Sequence, residues 1–367
     1  MRLRSSLIIL LLLPCLAILC ISCNDQADDD DDSGADADDD TDDDDTADDD
    51  DDAAGDDDDA PYYPNDDVLR LNDLQGLGTH NSYHLEPPVP FHQSHRYSHK
   101  PLDEQLEIGV RQFELDLQWG PGEAIKVYHI PVVDQLSTCD TLVDCLDVLK
   151  GWSDEHPGHH AIVVFLEPKD DLHVNHIEEH VGDVIDDIYS VWEPERILTP
   201  DDVRGDSATL REAIVGNGWP TLGQARNKII FHAHSHAAFL DNYLAAYPNL
   251  EGAPMFMDAN EADDIAAIIP MNNSLTQGER ITAAVEEGFI VRTMAGNCCD
   301  EPAANDYTKF EAALASGAHF ISTDFPEPVE EYGDYHLAIP EGNPSRCNPI
   351  TAPEFCVSAD IEDLITN

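Results

Sequence analysis

The sequence predicts an α/β protein built on a (β/α)8 barrel, with a leader and an acidic tether in front of it. Two observations carry that expectation. From about Asn72 onward, short apolar runs alternate with amphipathic stretches, and eight such runs can be counted before residue 325. Parallel strands joined by helical crossovers produce this alternation, and eight units suit a barrel. The competing open, doubly wound sheet would carry a Gly-rich dinucleotide fingerprint after its first strand. Here Gly76-Leu77-Gly78 lacks the third glycine.

The runs expected as strands are Leu74–Thr79, Arg111–Leu117, Ile125–His129, Ala161–Glu167, Lys228–His232, Pro254–Asp258, Phe289–Thr293 and His319–Asp324. Helix-like segments separate them: Leu102–Gly109, Thr141–His156, Ile177–Val191, Ala237–Ala246, Thr276–Gly288 and Tyr307–Gly317. Several end in Gly, a common helix stop. The barrel is assigned to 66–335. Residues 336–367, rich in Pro and polar groups, are read as a tail packed on it.

Ahead of the barrel the composition changes abruptly. Arg2 and Arg4 followed by the apolar stretch Leu7 to Ile21 read as a secretory signal over 1–23. Ser22-Cys23 resembles a bacterial lipoprotein processing site, which implies a lipidated Cys23 and a cell-surface or outer-membrane location, with plain secretion as the alternative. Residues 24–65 are expected to stay unfolded. Between 28 and 59 there are 22 Asp and no Lys or Arg, so like charges repel and nothing apolar is available to bury. The tract reads as a solvated spacer.

The whole chain has 18 basic and 76 acidic residues, a formal charge of -58. Nucleic acid is excluded as a partner, because phosphate backbones are bound by clustered Lys and Arg. Six Cys remain after the leader, and export permits disulfides. Cys139–Cys145 and Cys347–Cys356 are the local candidates, the first closing a loop at a helix start and the second stapling the tail; adjacent Cys298 and Cys299 are not placed. No pair has zinc-finger spacing.

In a barrel, chemistry sits where strands end at the C-terminal face. The first strand ends in His80-Asn81-Ser82, and the second contains Glu114-Leu115-Asp116. A period of two aims Glu114 and Asp116 the same way. Two acids in a barrel mouth repel unless they share a cation or a proton. The third run ends in His129, and the fourth in Glu167-Pro168-Lys169. Asn81, Glu114, Asp116 and Glu167 form a hard oxygen set suited to Ca²⁺, with Mg²⁺ second. His80 and His129 flank it as proton-transfer groups, and Lys169 offers a charge to a phosphate oxygen. Elsewhere, His232, His234 and His236 share one face of a strand end, but no partner acid or Cys is evident nearby. His92, His95 and His99 lie in a polar loop read as the substrate entrance, and His173, His176 and His180 on an exposed helix face. No Gly-x-Ser-x-Gly elbow appears, which disfavours a serine lipase.

These residues carry a resemblance. Gly78-Thr79-His80-Asn81-Ser82-Tyr83, Phe113-Glu114-Leu115-Asp116, Val127-Tyr128-His129 and Leu166-Glu167-Pro168-Lys169-Asp170 are similar to the bacterial calcium-dependent phosphoinositide phospholipase C family. So are Gly218-Trp219-Pro220-Thr221-Leu222 and Ser322-Thr323-Asp324-Phe325. The resemblance runs from about residue 70 to 330. It implies a TIM barrel that cleaves phosphatidylinositol-type lipids to diacylglycerol and an inositol phosphate through a cyclic intermediate. It also implies calcium at Asn81, Glu114, Asp116 and Glu167, catalysis by His80 and His129, and Lys169 near the substrate phosphate. The rim after Arg292-Thr293 departs from the family's usual pattern of a second basic residue and an acid, and Arg292 is assigned to a phosphate. The partners expected are a phospholipid or soluble inositol phosphodiester and the membrane surface, with the protein a monomer. Two alternatives stand beside this reading. A glycerophosphodiester phosphodiesterase would carry His-Arg-Gly where His80-Asn81-Ser82 stands. A non-catalytic surface calcium-binding protein would not need both His.

Overall fold

A computed structural model describes residues 61–169, 175–297, 299–341 and 344–363. The leader with Cys23, the tether up to residue 60, Asp170, His173 and Cys298 lie outside the described residues.

Ten strands are present: β1 Leu74–Thr79, β2 Val110–Gly120, β3 Ala124–Val127, β4 Ile162–Pro168, β5 Ile229–Ala233, β6 Met255–Met257, β7 Ile268–Pro270, β8 Ile290–Met294, β9 Phe320–Thr323 and β10 Ser345–Cys347. Eight of them form one parallel sheet in the order β6-β5-β4-β2-β1-β9-β8-β7, curled into a nearly closed α/β barrel. Among the described residues no ladder joins β6 to β7. Each is three residues long, and one of the three in β7 is Pro270, which has no N–H to give. No helix of the described residues is long and apolar enough to cross a membrane.

Two assignments from the sequence need correction. The run Ile125–His129 is not a barrel strand. Its core, β3, folds back antiparallel on the extended end of β2, pairing Leu117 with Val127 and Gly120 with Ala124. The eighth barrel strand is β7, a short run with Ala on one side and Pro at its end, which gives no period-two signal long enough to read. The helices Pro200–Arg204 and Leu210–Gly216 were also not anticipated.

The elements follow from local chemistry. Thr141 caps the helix Leu142–Glu155 by accepting from Asp144 N (3.1 Å), while Asp144 accepts from Thr141 N (3.0 Å). The helix then buries Leu142, Cys145, Leu146, Leu149 and Trp152, one face at helical spacing. The Cys139–Cys145 disulfide ties the preceding loop to that helix.

Inside the barrel, Gly78 makes room for Gln112. A Cβ on Gly78 would lie 2.1 Å from Gln112 Oε1. Gln112 in turn accepts from Ser322 Oγ of β9, and Arg292 of β8 donates to Ser322 Oγ (2.8 Å) and pairs with Glu114. β2 has β1 and β4 as its parallel neighbours, so these contacts to β8 and β9 cross the barrel interior. Residues 112, 114 and 116 therefore point inward, as strand parity requires.

The tail closes the opposite, N-terminal end. β10 pairs antiparallel with the start of β1 (Leu74 with Cys347), and the Cys347–Cys356 disulfide holds the segment behind it. Glu362 is buried against Arg111 at the start of β2 and accepts from His160 N (3.0 Å). Burial pushes the Glu362 carboxyl up, but Arg111 and His160 together pull it further down, to about 2. Removing one partner leaves a buried guanidinium uncompensated, so Glu362→Ala is expected to cost about 3–5 kcal/mol in urea unfolding at pH 7. A carboxyl held below its unfolded value stabilises above that value and loses the contribution as pH falls toward 2. The gap between wild type and variant should therefore shrink at acid pH. A constant gap would show that packing, not the ion pair, carries it.

Candidate active site

The C-terminal end of the barrel is assembled around the turn after β1. Asn81 adopts a positive φ of 46°, a conformation that Asn tolerates better than most residues. Ser82 locks this turn to β2 twice: its N–H donates to Glu114 O (2.9 Å), and its Oγ accepts from Glu114 N (2.8 Å). Gln105 adds bonds to Thr79 Oγ1 (2.8 Å) and Ser82 O (2.7 Å). His80 and Asn81 are thus fixed beside Glu114.

Glu114, Asp116 and Glu167 converge. One carboxylate oxygen from each lies within 4.8 Å of the others. The register explains this, because Asp116 of β2 is the direct neighbour of Glu167 of β4. Arg292 holds Glu114 below the usual carboxylate range, against the upward push of burial. Asp116 goes the other way. Burial raises it well above its ordinary value, with Glu167 and Glu114 adding to the rise and Lys169 opposing it. Both Asp116 oxygens are buried with no hydrogen-bond partner, and Lys169 Nζ stands 3.6 Å away. The same ammonium is 2.7 Å from Glu167, and burial, which lowers it, is overcome by Asp116 and Glu167.

Unbonded, buried carboxylate oxygens in a set of hard donors are what a calcium ion needs. Asn81 spends its amide nitrogen on Tyr97 OH (3.2 Å), which leaves Oδ1 as its acceptor. The donor set therefore fits calcium.

His80 stands next to this set. Its Nδ1 bonds Asp324 Oδ1 (2.9 Å), just past β9, and its Nε2 faces Glu114 Oε1 at 3.6 Å. Burial lowers the ring's pKa, but Asp324 and Glu114 more than reverse that and lift it to about 9. His129, on the arm beyond β3, bonds Asp134 Oδ2 through Nδ1 (2.8 Å) and keeps a quarter of its side chain exposed. The two imidazoles are thus oriented by different carboxylates.

The family described as Phosphoinositide phospholipase C, Ca2+-dependent, matches residues 69–122 and 120–349. The chain belongs to this family. A calcium-dependent phosphoinositide phospholipase C is a phosphoric diester hydrolase, and calcium is its cofactor. Solved structures share the fold. A calcium-dependent phosphoinositol-specific phospholipase C from Pseudomonas sp. superposes with a TM-score of 0.56 at 19% identity, over 77% of this chain and 97% of that one. A Ca²⁺-dependent phosphatidylinositol-specific phospholipase C from Streptomyces antibioticus gives a TM-score of 0.51 at 17% identity, covering 70% and 95%. A comparison with curated proteins gives no match.

Within this phospholipase C, some residues stand where the sequence suggested and others do not. Arg292, assigned to a substrate phosphate, is 1% exposed, and its donors go to Glu114, Ser322 and Asn272. Its guanidinium also sits 5.7 Å over the Phe165 ring. It is the counter-ion beneath Glu114, not a group open to substrate. No acid lies near His232 and His234 in sequence, but the fold brings them Asp258, just past β6. It is 2.8 Å from His232 Nε2 and 2.9 Å from His234 Nδ1. His236 does not join them; its ring accepts from Phe239 N (3.3 Å) and caps a helix. Asp324 and Asp134 carried no assignment. Asp324 could have been found by parity, since Phe320, Ser322 and Asp324 share a strand face. Asp134 sits in a loop with no period, and only the folded chain reveals it.

Proposed function

We propose that His80 and His129 act as the proton-transfer pair of this phospholipase C, with Asn81, Glu114, Asp116 and Glu167 holding the calcium and Lys169 meeting the substrate phosphate. The observation that carries this reading is the convergence of three carboxylates, one with both oxygens unbonded, beside an imidazole already oriented by Asp324.

In this mechanism the inositol 2-hydroxyl attacks phosphorus. The new bond is O2–P and the bond that breaks is P–O to the glycerol. The substrate places its own nucleophile, so proximity lowers the barrier. Calcium, when bound, supplies positive charge beside the hydroxyl and the phosphoryl oxygens. His80 presents Nε2 to the 2-hydroxyl and takes its proton, with Glu114 as the alternative acceptor 3.6 Å away. A ring lifted to about 9 is largely protonated at pH 7, so turnover with His80 as base should rise with pH toward that value. His129, held through Nδ1 by Asp134, gives a proton from Nε2 to the departing diacylglycerol oxygen. The cyclic inositol phosphate then opens with water. The inositol ring as the recognised group is supported by a myo-inositol complex of the Pseudomonas enzyme.

The protein is further proposed to be exported and held as a monomer at the cell surface or outer membrane through a lipid on Cys23, with the acidic tract as spacer. The test uses the purified protein on phosphatidylinositol and on glycerophosphoinositol, each with calcium or chelator. Calcium-dependent release of diacylglycerol from the first is expected. Hydrolysis of the second alone would favour a glycerophosphodiesterase, and hydrolysis of neither would favour a binding protein.

The acidity has a measurable consequence. A chain of charge -58 is repelled by anionic bilayers. Adding an inert anionic lipid to phosphatidylinositol vesicles should slow hydrolysis at low salt. The slowing should fade as ionic strength passes about 0.15 M, where the Debye length is about 8 Å. Equal slowing at all salt concentrations would point to competition at the headgroup site instead.

A further inference from the structure

Three histidines close on a single carboxylate beside the calcium site. They come from separate segments: His84 from the loop after β1, His95 from the short helical turn Gln93–His95, and His129 from the arm beyond β3. All face Asp134. His84 Nε2 is 3.0 and 3.1 Å from its two oxygens, His129 Nδ1 is 2.8 Å from Oδ2, and His95 Nδ1 is 3.3 Å from Oδ2.

The ring chemistry is that of metal ligands. His84 Nδ1 is 3.0 Å from Tyr97 O. A carbonyl only accepts, so Nδ1 donates to it; Nε2 donates to Asp134 in the metal-free protein, and a bound metal would take the place of that Nε2 proton. Metal-binding histidines are usually fixed in this way, through a hydrogen bond from the other nitrogen to a carbonyl. Stacking on Tyr97, with centroids 4.3 Å apart, holds the ring plane. His95 supplies the second observation. Its side chain is 6% exposed, and its Nδ1 is buried with no hydrogen-bond partner while aimed at the carboxylate. Asp134 is itself fixed by paired backbone bonds with Ile130 (2.9 and 3.0 Å).

We infer that His84, His95, His129 and Asp134 form a tetrahedral zinc site, separate from the calcium site, that disables the enzyme when filled. Three nitrogens and one carboxylate oxygen suit Zn²⁺ and not Ca²⁺, which wants six to eight oxygens. Tetrahedral Zn–N bonds of 2.0–2.1 Å put neighbouring ligand atoms about 3.3 Å apart. The separations from Asp134 fall close to that, and the ligand atoms of His84, His129 and Asp134 lie within 4.8 Å of one another; His95 is outside that trio, faces Asp134 alone at 3.3 Å, and would have to close on the ion as the fourth ligand. The inhibition rests on the role proposed for His129. Zinc on Nδ1 takes the nitrogen that Asp134 orients and occupies Asp134 as well; the ring then keeps its Nε2 hydrogen only as a neutral, weakly acidic N–H, which cannot protonate the leaving oxygen as an imidazolium does. Calcium does not compete, because its ligands are different atoms.

The test uses the full chain with saturating calcium. Equilibrium dialysis against Zn²⁺, followed by metal analysis, should find one tight equivalent. Co²⁺ in its place should give the intense visible absorption of a tetrahedral site. His95→Gln, checked for folding by circular dichroism, should weaken zinc at least about 10²-fold and abolish the cobalt band. His84→Gln serves as the second variant. Zinc should lower turnover on the order of 10²-fold, the scale of losing a proton-transfer group, and more calcium should not restore it. A zinc-selective chelator should. No tight equivalent in the wild type, or one retained in both variants, overturns the site. Relief by calcium overturns the separation from the calcium ligands. Zinc that binds, needs His95 and leaves turnover unchanged keeps the site but removes the catalytic role of His129.

Discussion

His80→Ala and His129→Ala are each expected to lower turnover by about 10² or more, the usual scale for a group that moves a proton in the transition state. The two losses should be distinguishable. His129 is assigned to the leaving oxygen. A substrate whose leaving group is a good phenolate needs no proton there, so His129→Ala should recover much of its rate on an aryl inositol phosphate. His80 is assigned to the attacking hydroxyl, which both substrates share, so His80→Ala should stay slow on each. Steady-state kinetics on the two substrates reads this directly. Asp324→Asn should fall between the wild type and His80→Ala, because it leaves the ring in place but removes the charge that orients Nδ1 at 2.9 Å. Recovery of His80→Ala on the aryl substrate would reverse the two assignments.

Asp116→Asn should produce opposite effects on function and stability. Its carboxylate is fully buried, both oxygens lack hydrogen bonds, and burial with two neighbouring acids pushes its pKa well up. Such a group is costly to keep without a cation. Loss of one ligand charge should weaken calcium by about 10² or more, read by calorimetric titration, and turnover at fixed calcium should fall with it. In chelator, at a pH above the raised pKa of Asp116, the variant should melt at a higher temperature than the wild type, because there a buried like charge has gone. Unchanged calcium affinity would remove Asp116 from the ligand set. A lower melting temperature in chelator would show that the carboxylate supports the fold by contacts other than charge.

Much of this site was legible in the sequence because strands have a strict period. Glu114 and Asp116, two apart in an otherwise apolar run, had to share a face, and a barrel allows acids only inward. Glu167 followed from its place at the end of the next parallel strand. His129 was found for the wrong structural reason. The sequence pattern places it at a strand end, but it arrives on the arm beyond β3, which pairs back on β2. The eight apolar runs of the sequence include that hairpin and omit β7, whose three residues are too short to show a period.

What the sequence determined by itself was the alternation that makes a barrel, the inward acids and the two short-range disulfides. All of these depend on neighbours within a few residues, or on the direction a side chain takes along one strand. Only the tertiary structure decided the partners. Arg292 passes under Glu114 from 178 residues away, Asp324 reaches His80 from 244 away, and Asp258 joins two histidines from another strand. Asp134 gathers His84 and His95 from loops with no pattern of their own. Charge pairing across a closed sheet follows from which strands lie side by side and what faces across the interior. No local period records that.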